Sequence, residues 1–435
     1  MPALVRTIAL CATLAAPGTQ QRGTRCSCDR PCPETDAGAT VMLAPVEPEH
    51  DPGTRPAGDV EGTEPRPRRG RLRLVVTLAA VLAGPLLAEV WLRHMIFRAS
   101  EPGDEVRDAR RYADPSSDDD YYKLQHVLAD PSSRRPIPIF DPIMGWLGDV
   151  IEPGTYTHRN EASLAERRPV LMYGASYARC VARTACFQQI LEESELADRY
   201  AMLNYAIGNA GFDQMVLMLQ HSIDHYAGRN PVVVIGAVLD TDFDRCMVSF
   251  RGWPKPHFSL TDDGGVRWDG PVIEGADAFI EQHPIGIRSY LWSSLVHGEW
   301  LPRSWRDTLS GRDEKQALKK ELVSGLVTML QGELEGRDLD HFFVLFSSAY
   351  AADPEAPVTW QEEFVTGLFD ERGVPYILVR KLLIEQAAKD GRDTDDYYFH
   401  EGIAENHLTE EGNRIAFEAV RRGLDGNFDG GSSEP

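Results

Sequence analysis

Four short stretches hold the side chains through which this 435-residue chain could do covalent chemistry. Gly174–Ala175–Ser176 presents a hydroxyl after an apolar run. Gly208–Asn209–Ala210–Gly211 is a glycine-rich turn that carries an amide. Asp240–Thr241–Asp242 is a polar cluster, and Glu405–Asn406–His407 sets a carboxylate two residues before an imidazole. A serine hydroxyl attacks a carbonyl only when a base removes its proton, and histidine suits that task near neutrality. A carboxylate can orient the imidazole and stabilise its cation, while N–H groups can receive the oxyanion that attack creates. These are the parts of an acyl-transfer site that works through an acyl-serine, with no metal or other cofactor.

Such parts are useful only if the chain brings them together. Pro169–Tyr173, Tyr200–Ile207, Val232–Leu239, Phe342–Phe346 and Tyr376–Val379 read as strands, and the β-branched run VVVIGAVL suits a strand buried on both faces. Helical spacing recurs over Tyr177–Leu191, Phe212–Tyr226, Glu314–Leu334, 360–372 and Thr409–Leu424, the last with Thr409 as N-cap. Residues 245–305 read as loop-rich. Alternating strands and helices predict a three-layer α/β/α sandwich with a mostly parallel sheet, of flavodoxin-like type. Ligands of such sheets collect at the carboxyl ends of the strands. That rule gathers the four stretches on one rim.

On these residues the chain resembles the SGNH (GDSL-type) hydrolase superfamily. Its first block appears as VLMYGAS, ending at Ser176, and its second as LNYAIGNAGFDQM over residues 203–215. The second block looks especially like a bacterial subgroup with a G-x-x-G-[YF]-x-x-D-Q signature. The third block appears as VLDTD and the last as ENHLTEEGN over residues 405–413. The blocks stand in the family's order and the resemblance covers 136–425. It implies Ser176 as nucleophile, His407 as base and Glu405 or a nearby carboxylate as the group that orients it. The oxyanion would be held by the N–H groups of Ser176 and of Gly208 or Gly211. Two positions depart from the pattern: Ala175 replaces the family's Asp, and Asp240 replaces an oxyanion-donating Asn. A carboxylate at Asp240 would repel negative charge unless protonated, and Asn209 could supply the donor instead.

The resemblance implies an ester hydrolase. A degenerate domain that binds glycans or envelope partners, and an O-acyltransferase using the same site, are alternatives. Other chemical readings are weaker. His221 and His225 have i, i+4 spacing, but no H-E-x-x-H glutamate or third ligand follows, so a solvated helix face is expected. Cys26, Cys28 and Cys32 lack the spacing of a zinc site. Cys180, Cys186 and Cys246 are an odd number; the first two share one predicted helix and should not pair with each other. Asp118–Asp119–Asp120 fits no calcium-loop template and reads as solvated linker. Trp253–Pro254–Lys255–Pro256–His257 is expected to wall part of the site.

The chain has 45 Lys and Arg against 67 Asp and Glu, a net charge of −22. Residues 1–73 hold ten Arg against nine acids, so all the excess acidity lies beyond them. That balance disfavours nucleic acid as a partner. Between the two parts runs Leu74–Leu92, nineteen residues whose sole charge is Glu89. As a helix it would span roughly 29 Å, close to the thickness of a bilayer's hydrocarbon core. Arg66, Arg68, Arg69, Arg71 and Arg73 crowd its amino-terminal flank, which orients the tail toward the cytoplasm and the rest outward. A core helix or cleaved signal peptide fits less well, since the run is long and no small-x-small cleavage site precedes a mature domain. Arg outnumbers Lys 38 to 7, a bias that suits a GC-rich bacterial genome. The expected plan is a disordered tail (1–70), a single-pass membrane anchor (74–92), a polar stalk (99–135), a hydrolase-like domain (136–425) and a disordered end (426–435). An outward-facing domain at the cell membrane suggests acyl esters of cell-surface polysaccharide or lipid as substrates.

Overall fold

The computed structural model describes residues 68–98, 104–130, 139–147, 164–180, 186–402 and 405–430. The expectations for the tail, for its three cysteines and for residues beyond 430 lie outside this set. The centre is a five-stranded, wholly parallel sheet made of β1 (Arg168–Gly174), β2 (Tyr200–Asn204), β3 (Val232–Val238), β4 (His341–Phe346) and β5 (Tyr376–Leu378). The order across the sheet is β2-β1-β3-β4-β5, so the winding reverses beside β1. Every residue of β3 is buried, as its unbroken apolar sequence requires.

Alternate side chains feed two cores. Leu171, Tyr173, Val233, Ile235 and Phe343 meet one set of helices: α1 (Phe212–Ser222), α2 (Arg312–Glu335) and α3 (Trp360–Arg372). Val170, Met172, Val234, Phe342 and Val344 meet helices on the other face, α4 (Val379–Asp390) and α5 (Glu410–Leu424) among them. This is an α/β/α sandwich with a parallel sheet. Helix boundaries follow local chemistry. Thr359 accepts from Glu362 N at 3.1 Å to start α3, and Gly373 ends it at φ +66°. Thr409 accepts from Gly412 N at 3.2 Å to start α5, as its sequence predicts.

Several expectations give way. The helix expected over Tyr177–Leu191 stops after Ser176–Arg179 and resumes at Phe187–Glu192, with Cys180 at φ +58° and residues 181–185 outside the description. Its carbonyls are intercepted by side chains: Asn204 Nδ2 donates to Ala178 O at 2.8 Å, and Cys186 Sγ to Arg179 O at 3.2 Å. Cys180, Cys186 and Cys246 are free thiols, and burial pushes the Cys180 thiol up, with a hydrogen bond to Cys186 adding to it. The stretch 245–305 is loop-rich as expected, with helices Ala276–Gln282 and Tyr290–His297 and a short hairpin set into it.

Nor is 104–130 a solvated stalk. Tyr112, Tyr121 and Leu124 form a small core with Ile96 and Tyr290. Each Asp of the 118–120 trio has a partner: Asp118 caps a helix, Asp119 accepts from Ser249 N at 2.7 Å, and Asp120 accepts from Gly286 N at 2.7 Å. At the other end, residues 429–430 pair with Tyr376 along the outer edge of β5 instead of trailing away.

The Leu74–Leu92 run belongs to one continuous helix, Arg68–Phe97. Judged on the described residues alone, no helix is long and apolar enough to cross a membrane, and several side chains of this run lie outside that description. Glu89 turns away from solvent to accept from Ser289 Oγ at 2.9 Å, Tyr290 N at 3.0 Å and Leu291 N at 2.8 Å. It thereby caps helix Tyr290–His297 from outside that helix.

Candidate active site

β1 ends where the sheet order reverses, the place at which α/β sheets open a crevice. Gly174 pairs with Gly236 of β3. A Cβ on Gly174 would lie 2.5 Å from Gly236 O and 2.4 Å from Ala178 Cβ, so only glycine lets Ser176–Arg179 rest on the sheet. Ser176 leads that turn and is half-buried at the rim. Buried Asn204, at the end of β2, braces the turn through Ala178 O while its own Oδ1 accepts from Ala206 N at 2.9 Å.

His407 arrives from the far end of the chain. Its loop is closed by Asn406 N to Phe399 O and Phe399 N to His407 O, both 2.8 Å, and by a bridge between Tyr398 and Leu408. Asn406 takes φ +63°, and its carbonyl accepts from the Tyr177 hydroxyl. The Tyr177 ring lies 5.0 Å from the imidazole, and burial pushes its phenol well up. His407 Nε2 stands 2.8 Å from Ser176 Oγ, and Nδ1 stands 3.1 Å from the main-chain carbonyl of Glu405. A carbonyl can only accept, so Nδ1 carries the proton in that contact and Nε2 offers its lone pair to the hydroxyl. The structure thus joins Ser176 and His407, but Glu405 faces the ring through its backbone while its exposed carboxylate does not bond it.

The 208–211 turn is pinned from outside. Trp146 Nε1 donates to Gly208 O at 3.2 Å, Arg251 Nη1 to Asn209 O at 3.2 Å and Arg245 Nη1 to Ala210 O at 3.0 Å. Three successive carbonyls are tied down this way. Gly211 N–H is already given to Gln214 Oε1 at 3.1 Å and Ala210 N–H to Ile207 O at 3.1 Å, so neither is available to an oxyanion. Among the described residues the N–H groups of Ser176, Gly208 and Asn209 are uncommitted; Asn209 sits at φ +65°. Asp240 Oδ1 accepts from Ser348 N at 3.1 Å, which spends its carboxylate on joining the ends of β3 and β4.

Behind the turn lie groups that sequence reasoning missed. Lys255, assigned to a wall, is buried and donates to Asp213 and to the carbonyls of Arg245, Val248 and Pro256. The D-Q of the second block thereby gains a reason: Asp213 holds the lysine, while Gln214 caps Gly211 and donates to Met144 O at 2.7 Å. The only hint was a lysine in an apolar loop and an acid at a helix start. Asp242 is fully buried and accepts from Val238 N at 2.8 Å and Arg245 Nη1 at 2.5 Å. Burial nonetheless raises its carboxyl from 3.8 to about 6, against the pull of Arg245. Burial, with Arg245 beside it, draws the Arg251 guanidinium down to about 10.

The raised Asp242 has a consequence for stability. A carboxyl that binds its proton more tightly folded than unfolded stabilises the fold below its unfolded value, and that contribution is lost as pH rises through about 6. The displacement corresponds to about 3 kcal/mol. Asp242→Asn should therefore flatten the dependence of stability on pH between about 4 and 6. Urea titrations at each pH would measure it, and an unaltered slope would assign the dependence to another group.

Among the described residues no three His, Cys, Asp or Glu side chains gather to hold a metal ion. His221 turns its Nδ1 to Leu217 O at 2.8 Å, on its own helix.

A parallel α/β sandwich with a hydrogen-bonded serine–histidine pair at its switch point is the class this fold and site define. No protein-family model matches the chain, and no curated protein matches its sequence. Solved structures similar to it include an acetyl xylan esterase, at 12% identity over 59% of this chain and 99% of that one, with a TM-score of 0.32. A lipase from a goat rumen metagenome is similar at 11% identity over 59% and 96%, with a TM-score of 0.31. An acetylxylan esterase from Geobacillus stearothermophilus, solved as a catalytic mutant, is similar at 13% over 59% and 94%, with a TM-score of 0.29.

Proposed function

We propose that the chain is a serine ester hydrolase of SGNH type that acts without a metal. The observation that carries this reading is the 2.8 Å contact between His407 Nε2 and Ser176 Oγ, made with the tautomer a base requires. As Oγ bonds the ester carbonyl carbon, its proton passes to Nε2 and the carbonyl electron pair moves onto oxygen. The N–H groups of Ser176, Gly208 and Asn209 are the donors for that oxyanion. Collapse expels the alkoxide, which takes the proton from Nε2 and leaves acyl-Ser176. Water, deprotonated by His407, then releases the acid and restores the serine. The Glu405 carbonyl orients the ring; a neutral oxygen stabilises the imidazolium less than a carboxylate would.

Occupation of the Asp240 carboxylate by Ser348 N weakens the case for a degenerate, binding-only domain. We further propose that Leu74–Leu92 anchors the chain in the cell membrane as a single pass with the catalytic domain outside, as the arginine flank favours. Acyl groups on envelope polysaccharide or lipid would then be within reach. A fluorophosphonate probe applied to the full chain should label Ser176, with labelling lost in Ser176→Ala and in His407→Ala. Equal labelling of Ser176→Ala would overturn the nucleophile assignment.

A further inference from the structure

Of the chain's eight tryptophans, four are exposed: Trp91, Trp292, Trp300 and Trp305, at 58%, 54%, 57% and 63%. One lies at the end of the apolar run. The other three lie on helix Tyr290–His297, on helix Arg303–Leu309 and on the link between them. Exposed tryptophan is costly in water and is favoured at the boundary between lipid and water, where an apolar ring with a polar edge is at home.

Geometry fixes these helices near that boundary. Glu89 caps helix Tyr290–His297, and Arg93 Nη2 donates to Arg288 O at 2.7 Å. The Arg93 guanidinium lies 5.0 Å from the Tyr290 ring centre, and Phe97 meets the same ring edge-on at 5.5 Å. Glu89 stands three residues before the end of the apolar run, a rise of about 4.5 Å. The first turn of helix Tyr290–His297 is therefore held at the level where the run ends. Charge agrees with this. Although the chain is strongly acidic, Arg303 and Arg306 flank Trp305; with Lys315 and the acids Asp114, Asp244 and Asp307 they line a cavity of about 360 Å³. Arg306 Nε is buried there with no hydrogen-bond partner among the described residues. Cations beside interfacial aromatics complement the phosphates of lipid headgroups.

We infer that Trp292, Trp300 and Trp305 form a second membrane contact, seated in the headgroup region of the leaflet from which the anchor emerges. The inference rests on the proposed anchor and adds that the catalytic domain lies against the bilayer. The test uses the full chain in phosphatidylcholine vesicles with brominated acyl chains, read by quenching of tryptophan emission. The wild-type chain should be quenched, and Trp292→Phe/Trp300→Phe/Trp305→Phe should lose most of that quenching while still floating with the vesicles. Fluorophosphonate labelling of Ser176 in the triple variant verifies that it is folded. A chain that floats, loses quenching in Trp91→Phe and keeps it in the triple variant overturns the contact alone. A chain that does not float overturns the anchor and the contact together.

Discussion

Ser176→Ala should lower kcat for p-nitrophenyl acetate by about 10⁴-fold or more, with KM little changed. In the proposed step the hydroxyl is the bond-forming atom, and His407 Nε2 lies 2.8 Å from it. His407→Ala should cost a comparable factor, because an undeprotonated hydroxyl attacks poorly. The two losses should not multiply. Nucleophile and base act as one unit, so the double variant should be no slower than the worse single one. Single-turnover kinetics on the full chain would measure all three, and multiplying losses would break the pairing drawn from the 2.8 Å contact.

Lys255→Met should destabilise the fold by about 3–5 kcal/mol. The side chains of Lys255 and Asp213 are both fully buried, and the ammonium also serves three carbonyls. Removing the lysine leaves a carboxylate in the core without its counter-charge. Asp213→Asn combined with Lys255→Met should recover part of the loss, since no unpaired charge then remains. Asp213 follows Gly208–Gly211 closely in the chain, so the single variant should also loosen the turn that holds the proposed oxyanion donors. Urea unfolding followed by tryptophan emission tests the stability, and a loss below about 1 kcal/mol would mean the pair is solvated or dispensable.

Strands were legible in the sequence because burial on both faces leaves an unbroken apolar signature, as in Val232–Val238. Ser176 and His407 were legible because the ends of such strands gather whatever chemistry a chain has. What stayed hidden depends on partners far away in sequence. Asp119 reads as linker until Ser249, 130 residues on, supplies the donors it caps. Helix Tyr290–His297 is short and, beside its local cap Ser289, takes acceptors from Glu89, about 200 residues earlier. Asp240 and Glu405 were assigned by block position, yet side-chain direction decides function, and one is taken by Ser348 N while the other offers only its carbonyl. Helix Val379–Asp390 was missed because it begins directly at the end of β5 with no loop to announce it.

The hydrogen bond between Ser176 and His407 joins positions 231 residues apart, and residues 429–430 pair with the outer edge of β5 at Tyr376. During synthesis, the Ser176 turn therefore emerges long before the histidine that pairs with it. Four strands can pair while the fifth is still being made, and the outer edge of that fifth strand waits for residues 429–430. Until residues 429–430 have been made, the outer edge of β5 stays exposed, and there aggregation would compete with folding.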